Sequence, residues 1–199
     1  MDQAGIARSV DAWERMRPLY WRGVPCQQFP SDMFRYAEVL NELRPPWVLE
    51  CGTADGGTAL WLASVLGSYG LGQVITIDSD PRPAGGLANN IHPRLLPLKG
   101  DAASPDIVAQ VIFLADGARG VVLLDTDHTS AQVLAELDVY APLADYLIVQ
   151  DTLIGYLPQY PDNPRQALEK WLPGHPEFTQ DPEPDPTNHP GGWLRRVGG

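Results

Sequence analysis

The most constraining feature of this sequence is a regular alternation between short apolar runs and longer segments with helical periodicity. Each apolar run has four to six residues, mostly Leu or β-branched side chains, which is typical of parallel strands buried on both faces. Ser104-Pro105 and Asn163-Pro164 are good helix openings, because an N-cap residue precedes a proline. The predicted strands are 47–50, 73–78, 95–98, 120–125 and 146–151, and the predicted helices are about 32–43, 57–67, 104–115, 130–140 and 164–172.

Such alternation requires right-handed crossovers, so the predicted fold class is α/β, a doubly wound Rossmann-like sheet that is mostly parallel. The end of the chain breaks the pattern, because 177–180 and 192–197 are strand-like with no helix between them. They predict a C-terminal antiparallel hairpin at the sheet edge. Residues 1–30 are interpreted as an N-terminal arm, suited to contacts in a homo-oligomer, and 31–199 as one domain.

The charge balance excludes several classes of partner. The chain has 14 Lys and Arg against 25 Asp and Glu, a net charge of −11, which argues against binding to nucleic acid or an anionic membrane surface. No apolar stretch approaches the roughly 18 residues of a membrane-spanning helix. Two cysteines cannot form a disulfide scaffold, and the start of the chain has no apolar run. We therefore expect a cytoplasmic protein.

A glycine-containing loop follows the first predicted strand, with the sequence Glu50-Cys51-Gly52-Thr53-Ala54-Asp55-Gly56-Gly57. Its glycines permit a sharp turn and a close approach of ligand to backbone. A dinucleotide site has G-x-G-x-x-G, but the middle glycine is replaced here by Ala54. The alternative pattern, acid-x-Gly-x-x-x-Gly, places a carboxylate where a ligand ammonium is favoured over a phosphate. Charge thus favours S-adenosylmethionine over a dinucleotide, although a purely structural turn has a similar sequence.

Further acids follow the next two predicted strands. The second strand ends in Asp78, which suits both hydroxyls of a ribose, and the third leads into Asp101-Ala102, where an acid can meet an adenine amino group. Ligands of doubly wound sheets bind beyond the carboxyl ends of the strands. Acids at three consecutive strand ends therefore favour an adenosyl ligand over the alternative that each acid only caps the local backbone.

The fourth and fifth predicted strands also end in aspartates, Asp125 and Asp151. Neighbouring strands lie about 5 Å apart, so these carboxylates are placed to share one hard cation. His128 follows three residues after Asp125 and is a candidate proton acceptor. A helix-start residue bonded to a backbone carbonyl is an equally good interpretation of His128.

Six segments together resemble the cephalosporin hydroxylase family in order and spacing. They are Gln28–Asp32, Leu49–Leu60, Val74–Asp78, Leu124–Thr129, Val149–Thr152 and His189–Arg196. Despite its name, that family has a class I S-adenosylmethionine-dependent methyltransferase fold and is similar to sugar and natural-product O-methyltransferases.

The resemblance implies functional residues by position. It implies S-adenosylmethionine binding by Glu50, Gly52, Thr53, Gly57, Asp78, Asp101 and Ala102, and a divalent metal, usually Mg²⁺, on Asp125, Gln150 and Asp151. Relatives usually have Glu where this chain has Gln150, so the predicted metal site loses one negative charge and weaker metal binding is expected.

The predicted activity is methyl transfer to a hydroxyl of a small molecule, a sugar or natural product. His128 or Asp127 is predicted to accept the proton, and a cation would lower the pKa of the acceptor hydroxyl. Four alternatives remain at this point: a relative that has lost methyl transfer, an antibiotic-tailoring hydroxylase, an NAD-type oxidoreductase, and an acidic binding domain without catalysis.

Overall fold

A computed structural model describes residues 1–79 and 92–198. The described part contains a seven-stranded sheet in the order β5-β4-β3-β6-β7-β9-β8 and a separate two-stranded hairpin, β1-β2. The strands are β1 (Leu19–Trp21), β2 (Val24–Cys26), β3 (Trp47–Cys51), β4 (Gln73–Asp78), β5 (Leu95–Lys99), β6 (Gly120–Leu124), β7 (Ala144–Val149), β8 (Phe178–Gln180) and β9 (Trp193–Arg196). The helices are α1 (Gln3–Glu14), α2 (Pro30–Leu43), α3 (Gly57–Tyr69), α4 (Pro105–Ala115), α5 (Ser130–Tyr140) and α6 (Pro164–Trp171), with 3₁₀ turns at Ala141–Leu143, Thr152–Tyr156 and Leu172–Gly174.

The sheet confirms the predicted fold class. Strands β3 to β7 are parallel to one another, and β9 is antiparallel to both β7 and β8. The strand residues alternate between two apolar cores: Leu49 packs on the face of α4, α5 and α6, and Val48 packs on the face of α2 and α3. Strand β3 is fully buried, as a central strand covered by helices on both sides requires.

The strand order reverses between β3 and β6. From β3 the chain first adds β4 and β5 on one side, then crosses back to add β6 and β7 on the other. Open sheets of this kind bind ligands outside the carboxyl ends of the strands at the reversal point. The loops after β3 and β6 are therefore where a ligand site is expected.

The predicted C-terminal hairpin is confirmed. Ile148 of β7 lies opposite Trp193 of β9, and Leu194 of β9 lies opposite Gln180 of β8. Because β9 is antiparallel, its first residues meet the carboxyl end of β7. The connector between β8 and β9 therefore lies at the same edge as the loops after the parallel strands.

The N-terminal segment 1–30 is packed against the rest of the chain. Ser9 of α1 is buried and its hydroxyl accepts the N–H of Thr187 in the connector, at 3.1 Å. Val24 and Cys26 of β2 are almost fully buried. The boundary at residue 30 and a role for this segment between subunits stay predictions. Within the described ranges no helix is long and apolar enough to cross a membrane.

Candidate active site

A cleft of about 620 Å³ opens at the carboxyl ends of the parallel strands. This volume is within the range of about 300–1,000 Å³ typical of small-molecule and cofactor sites. Five of the side chains that line it are aspartates, and none of its described lining residues is Lys or Arg. The lining residues are Gln27, Gly52, Ala54, Ile77, Asp78, Ser79, Gly100, Asp101, Ala102, Asp125, Thr126, Asp127, His128, Gln132 and Asp151.

The glycine loop turns sharply over the end of β4. The N–H groups of Gly52 and Thr53 both donate to Ile77 O, at 2.8 and 3.1 Å. Gly52 has φ +104°, and a Cβ there would lie 1.9 Å from Asp125 O, so no other residue fits without displacing the loop after β6. The sharp turn predicted for this loop is therefore present, and a close approach of a ligand to its backbone stays a prediction.

Three predicted cofactor residues of this segment are buried and do not line the cleft. Glu50 is 1% exposed and accepts the hydroxyl of Thr76 at 2.5 Å, while Thr53 Oγ1 lies 2.7 Å from Thr76 Oγ1. Burial raises the pKa of Glu50 to about 8, although the Thr76 hydrogen bond opposes the shift. Gly57 begins α3 against β2, where a Cβ would lie 2.0 Å from Pro25 O. These residues shape the loop.

Four of the seven predicted cofactor residues line the cleft. They are Gly52, described above, and Asp78, Asp101 and Ala102. Asp78 Oδ2 accepts the N–H of Ala54 at 2.9 Å, which holds its carboxylate beside the glycine loop. Asp101 Oδ1 accepts the N–H of Ala103 at 3.0 Å. Ala102 is 3% exposed, and its carbonyl accepts the Tyr140 hydroxyl at 2.6 Å. One cavity therefore contains the ends of β3, β4 and β5.

Asp125, His128 and Asp151 form a compact cluster at the other end of the cleft. His128 Nε2 lies 3.1 Å from Asp125 Oδ1 and 2.9 Å from Asp151 Oδ2. One ligand atom from each residue lies within 4.8 Å of the other two, which is compatible with a shared divalent cation. The two carboxylates suit a hard cation such as Mg²⁺.

The protonation of this cluster follows from its burial and its contacts. Burial raises the pKa of Asp125 to about 6, and the His128 hydrogen bond opposes that shift. For His128, burial disfavours the charged form, but hydrogen bonds with Asp125 and Asp151 outweigh it and raise the pKa to about 10. Without a cation, His128 is therefore an imidazolium held between two carboxylates at neutral pH.

Backbone strain is concentrated at the same cleft. Three of its non-glycine residues have left-handed conformations: Ala54 with φ +45°, His128 with φ +63° and Asp151 with φ +55°. Such conformations are uncommon outside glycine and cluster at functional sites. The strain supports the assignment of this cleft as the functional site.

Gln150, a predicted metal ligand, is fully buried. Its Oε1 accepts the amide N–H of Gln28 at 2.7 Å, and Gln28 Nε2 also lies 3.3 Å from Asp125 Oδ2. The buried Nε2 of Gln150 has no hydrogen-bond partner among the described residues. The Gln150 oxygen is thus already bound by Gln28, and ligation of a cation by Gln150 stays a prediction.

Asp127, the second predicted proton acceptor, shapes the start of α5. Its Oδ1 accepts both the N–H and the hydroxyl of Thr129, at 2.9 and 2.8 Å, and Thr129 is the N-cap of α5. Asp127 also lines the cleft. One of its oxygens therefore has a structural role before any catalytic one.

The comparison with known proteins decides the family. The model of the family "Rhamnosyl O-methyltransferase/CmcI" matches residues 14–197. The chain belongs to this family. A rhamnosyl O-methyltransferase of Mycobacterium tuberculosis is 32% identical over 190 residues, covering 88% of this chain and 77% of the relative. One of Mycobacterium leprae is 34% identical over 174 residues, covering 83% and 74%. The predicted resemblance to the cephalosporin hydroxylase family is confirmed.

Solved structures of family members and other methyltransferases show the same fold. A CmcI structure described with Mg and SAM superimposes with a TM-score of 0.65 at 22% identity, covering 95% of this chain and 84% of that one. An O-methyltransferase from Bacillus cereus in complex with SAH gives 0.60 at 17%, covering 91% and 84%. At these identities the likeness establishes the class I methyltransferase fold alone.

A buried polar network behind the cluster was missed by the sequence analysis. His189 lies in the connector between β8 and β9 and is fully buried; its Nδ1 accepts the N–H of Asp151 at 3.0 Å and its Nε2 lies 2.5 Å from the Tyr36 hydroxyl. That hydroxyl donates to Gln28 Oε1 at 3.0 Å. Asp32, also fully buried, accepts the Thr187 hydroxyl and the N–H of Asn188. The only signal in the sequence was that Gln28, Asp32 and His189 lie in segments that carry the family resemblance.

Residues 152–163, which follow β7, are divided between core and surface. Leu153 is fully buried, whereas Tyr156 is 40% exposed and has the guanidinium of Arg165 4.0 Å from its ring centre. Tyr156, Arg165 and Pro190 line a second cavity of about 670 Å³ at the same edge of the sheet. Trp21 donates to the hydroxyl of Ser64, at 3.0 Å, and does not line the main cleft.

Proposed function

We propose that this chain transfers a methyl group from S-adenosylmethionine to a hydroxyl of a small molecule, and that the acceptor is a sugar of the rhamnosyl type. The observation that carries the proposal is that one cleft holds both the glycine loop with its adjoining aspartates and the Asp125–His128–Asp151 cluster. Cofactor and acceptor chemistry are thereby brought to the same cavity.

The charge of the cleft fits an adenosyl sulfonium. Its described lining contains five aspartates and no Lys or Arg, so it attracts a cationic ligand and repels the pyrophosphate of a dinucleotide. Asp78 is placed to accept hydrogen bonds from ribose hydroxyls, and Asp101 from the adenine amino group. This electrostatic argument favours S-adenosylmethionine over NAD.

The donor set also fits a divalent cation. Asp125 and Asp151 would hold it, with His128 within reach. When bound, such a cation polarises the acceptor hydroxyl and lowers its pKa. Because the raised pKa of His128 depends on the negative charge of the two carboxylates, neutralising that charge favours the unprotonated imidazole. His128 Nε2 is then the proton acceptor, with Asp127 as the second candidate.

The remaining task of the chain is alignment. Methyl transfer is an in-line displacement, so the acceptor oxygen, the methyl carbon and the sulfur must be held collinear. The glycine loop and the His128 cluster fix the two ends of that line. The second cavity, lined by Tyr156, Arg165 and Pro190, gives space at the same sheet edge for the rest of the acceptor.

The rhamnosyl acceptor class is supported by the relatives. The mycobacterial proteins named rhamnosyl O-methyltransferase align with 83–88% of this chain.

One competing function is that of a relative that binds the cofactor without methylating. It is favoured by Gln150, because this residue is neutral and its side-chain oxygen already accepts a hydrogen bond from Gln28.

One experiment separates these two functions. The protein is incubated with methyl-deuterated S-adenosylmethionine and a panel of rhamnosides, other sugars and phenols, in Mg²⁺ and in EDTA, and products are read by mass spectrometry. Deuteromethyl ether formation on a rhamnoside supports the proposal. Binding of S-adenosylhomocysteine with no methylated product from any acceptor contradicts it and supports the non-methylating function.

A further inference from the structure

Asp101, at the cofactor end of the cleft, is held by a side chain of α5. Gln132 donates one N–H of its Nε2 to Asp101 Oδ1 at 3.1 Å and the other to Glu136 Oε1 at 3.0 Å. A reversed amide would direct the Gln132 oxygen at two carboxylates, which is repulsive. The orientation of the Gln132 amide is therefore set by the acids on both sides.

Glu136 accepts the second hydrogen bond of the Gln132 amide and is itself held in place by burial. It is fully buried on α5, one turn after Gln132. Buried carboxylates are costly unless they are hydrogen-bonded. Its bond from Gln132 thus anchors the amide from the protein side.

The loop that carries Asp101 is fixed independently. The N–H and hydroxyl of Ser104 both donate to Asp101 O, at 3.0 and 2.8 Å. Asp101 Oδ1 accepts two donors, from Ala103 and Gln132. Its Oδ2 accepts no hydrogen bond from residues 1–79 or 92–198. One oxygen is therefore occupied by the protein, and the other remains for a ligand in the cleft.

We propose that Gln132, anchored by Glu136, is a positioning residue that holds Asp101 Oδ2 toward the exocyclic amino group of adenine and so selects an amino over a carbonyl group at that position. The inference rests on the proposed function, because it requires an adenosyl ligand in the cleft. A carboxylate held in this way accepts a hydrogen bond from an amino group and repels a carbonyl oxygen. Specificity built on such a fixed polar group is lost when the group can turn away.

The test compares S-adenosylhomocysteine with S-inosylhomocysteine, in which a carbonyl replaces the amino group. Calorimetry gives the two dissociation constants for the wild type, Gln132→Met and Glu136→Gln. We expect the wild type to prefer the adenosyl compound and Gln132→Met to lose roughly three- to tenfold of that preference, the effect of one hydrogen bond. Glu136→Gln still accepts from Gln132 and is expected to retain the preference. Gln110→Met, an exposed glutamine on α4, is the matched control.

The outcomes are distinguishable. Adenosyl binding with the same preference in Gln132→Met and wild type overturns the inference and leaves the proposed function intact. No binding of either compound to the wild type overturns both. If Gln132→Met does not fold, Glu136→Met, which leaves the Gln132 amide without its anchor, supplies the same comparison. A general loss of packing weakens both compounds equally and does not change their ratio.

Discussion

Gln28 donates an amide N–H to Gln150 Oε1 at 2.7 Å, so a side chain just before α2 closes over the residue that follows β7. Both residues are almost fully buried. The contact joins two segments that are 122 positions apart in sequence. Of the three predicted metal ligands, Asp125 and Asp151 line the cleft and Gln150 does not.

We predict that Gln150→Glu strengthens Mg²⁺ binding, on the order of tenfold, because divalent affinity rises with ligand charge. Calorimetric titration of the cofactor-free protein with Mg²⁺ measures it. Gln110→Glu adds the same charge on the exposed face of α4 and is expected to have no effect. Equal affinities of Gln150→Glu and wild type would show that position 150 does not reach the cation.

The Gln28–Gln150 pair is predicted to behave as a unit in unfolding. Gln28→Leu leaves the buried Gln150 oxygen unsatisfied and is expected to lower the free energy of unfolding by about 1–3 kcal/mol. Replacing both residues with Leu removes both polar groups, so the double variant is expected to lose less than the sum of the single variants. Urea denaturation measures all four proteins. Strict additivity would contradict a direct coupling.

Glu50 is predicted to make stability fall as pH rises. Its pKa is about 8 when folded, against an ordinary 4.5; burial is the main cause, Thr76 opposes it, and the neighbouring Asp125 and Asp78 add to it. The contribution is complete below pH 4.5 and is lost as pH rises to 8, with a slope of up to about 1.4 kcal/mol per pH unit.

Glu50→Gln removes this titration. Urea denaturation at pH 5.5, 6.5 and 7.5 is expected to show the variant gaining stability relative to wild type at each step. A difference between the two proteins that does not change with pH would mean that Glu50 is ionised in the folded state.

The two candidate proton acceptors are separated by paired variants. His128→Gln is expected to lower kcat by about 10²–10⁴-fold, the usual effect of removing a general base, while S-adenosylhomocysteine still binds. Asp127→Asn is expected to act mainly on stability, because Asp127 Oδ1 holds Thr129 at the start of α5. Single-turnover rates and thermal melting measure the two effects. The reverse pattern would assign the proton to Asp127.

The sheet was predictable from the sequence because its signals are local. Each signal is contained in a short stretch of sequence. The signals are the apolar runs of strand length, the helix openings at Ser104-Pro105 and Asn163-Pro164, and the C-terminal segment without a helix. Helix α1 and the β1–β2 hairpin were not predicted, because their two short strands and mostly exposed helix carry weak patterns.

The rim of the site was predictable, but its interior was not. Asp125 and Asp151 end adjacent strands, so their proximity follows from topology alone. The burial of Glu50 and the contact of His189 with Asp151 depend on the packing of segments distant in sequence. A single sequence places no constraint on such contacts, so neither the burial of Glu50 nor the contact of His189 with Asp151 was predicted.

The central claim is that the acidic cleft binds an adenosyl ligand through the end of β4. Calorimetric titration with S-adenosylhomocysteine of the wild type, Asp78→Ala and Asp11→Ala tests it most directly. The account predicts one site per chain, affinity reduced about tenfold or more in Asp78→Ala, and no change in Asp11→Ala, an exposed residue of α1. Absence of binding to the wild type, or equal binding by Asp78→Ala, would contradict it.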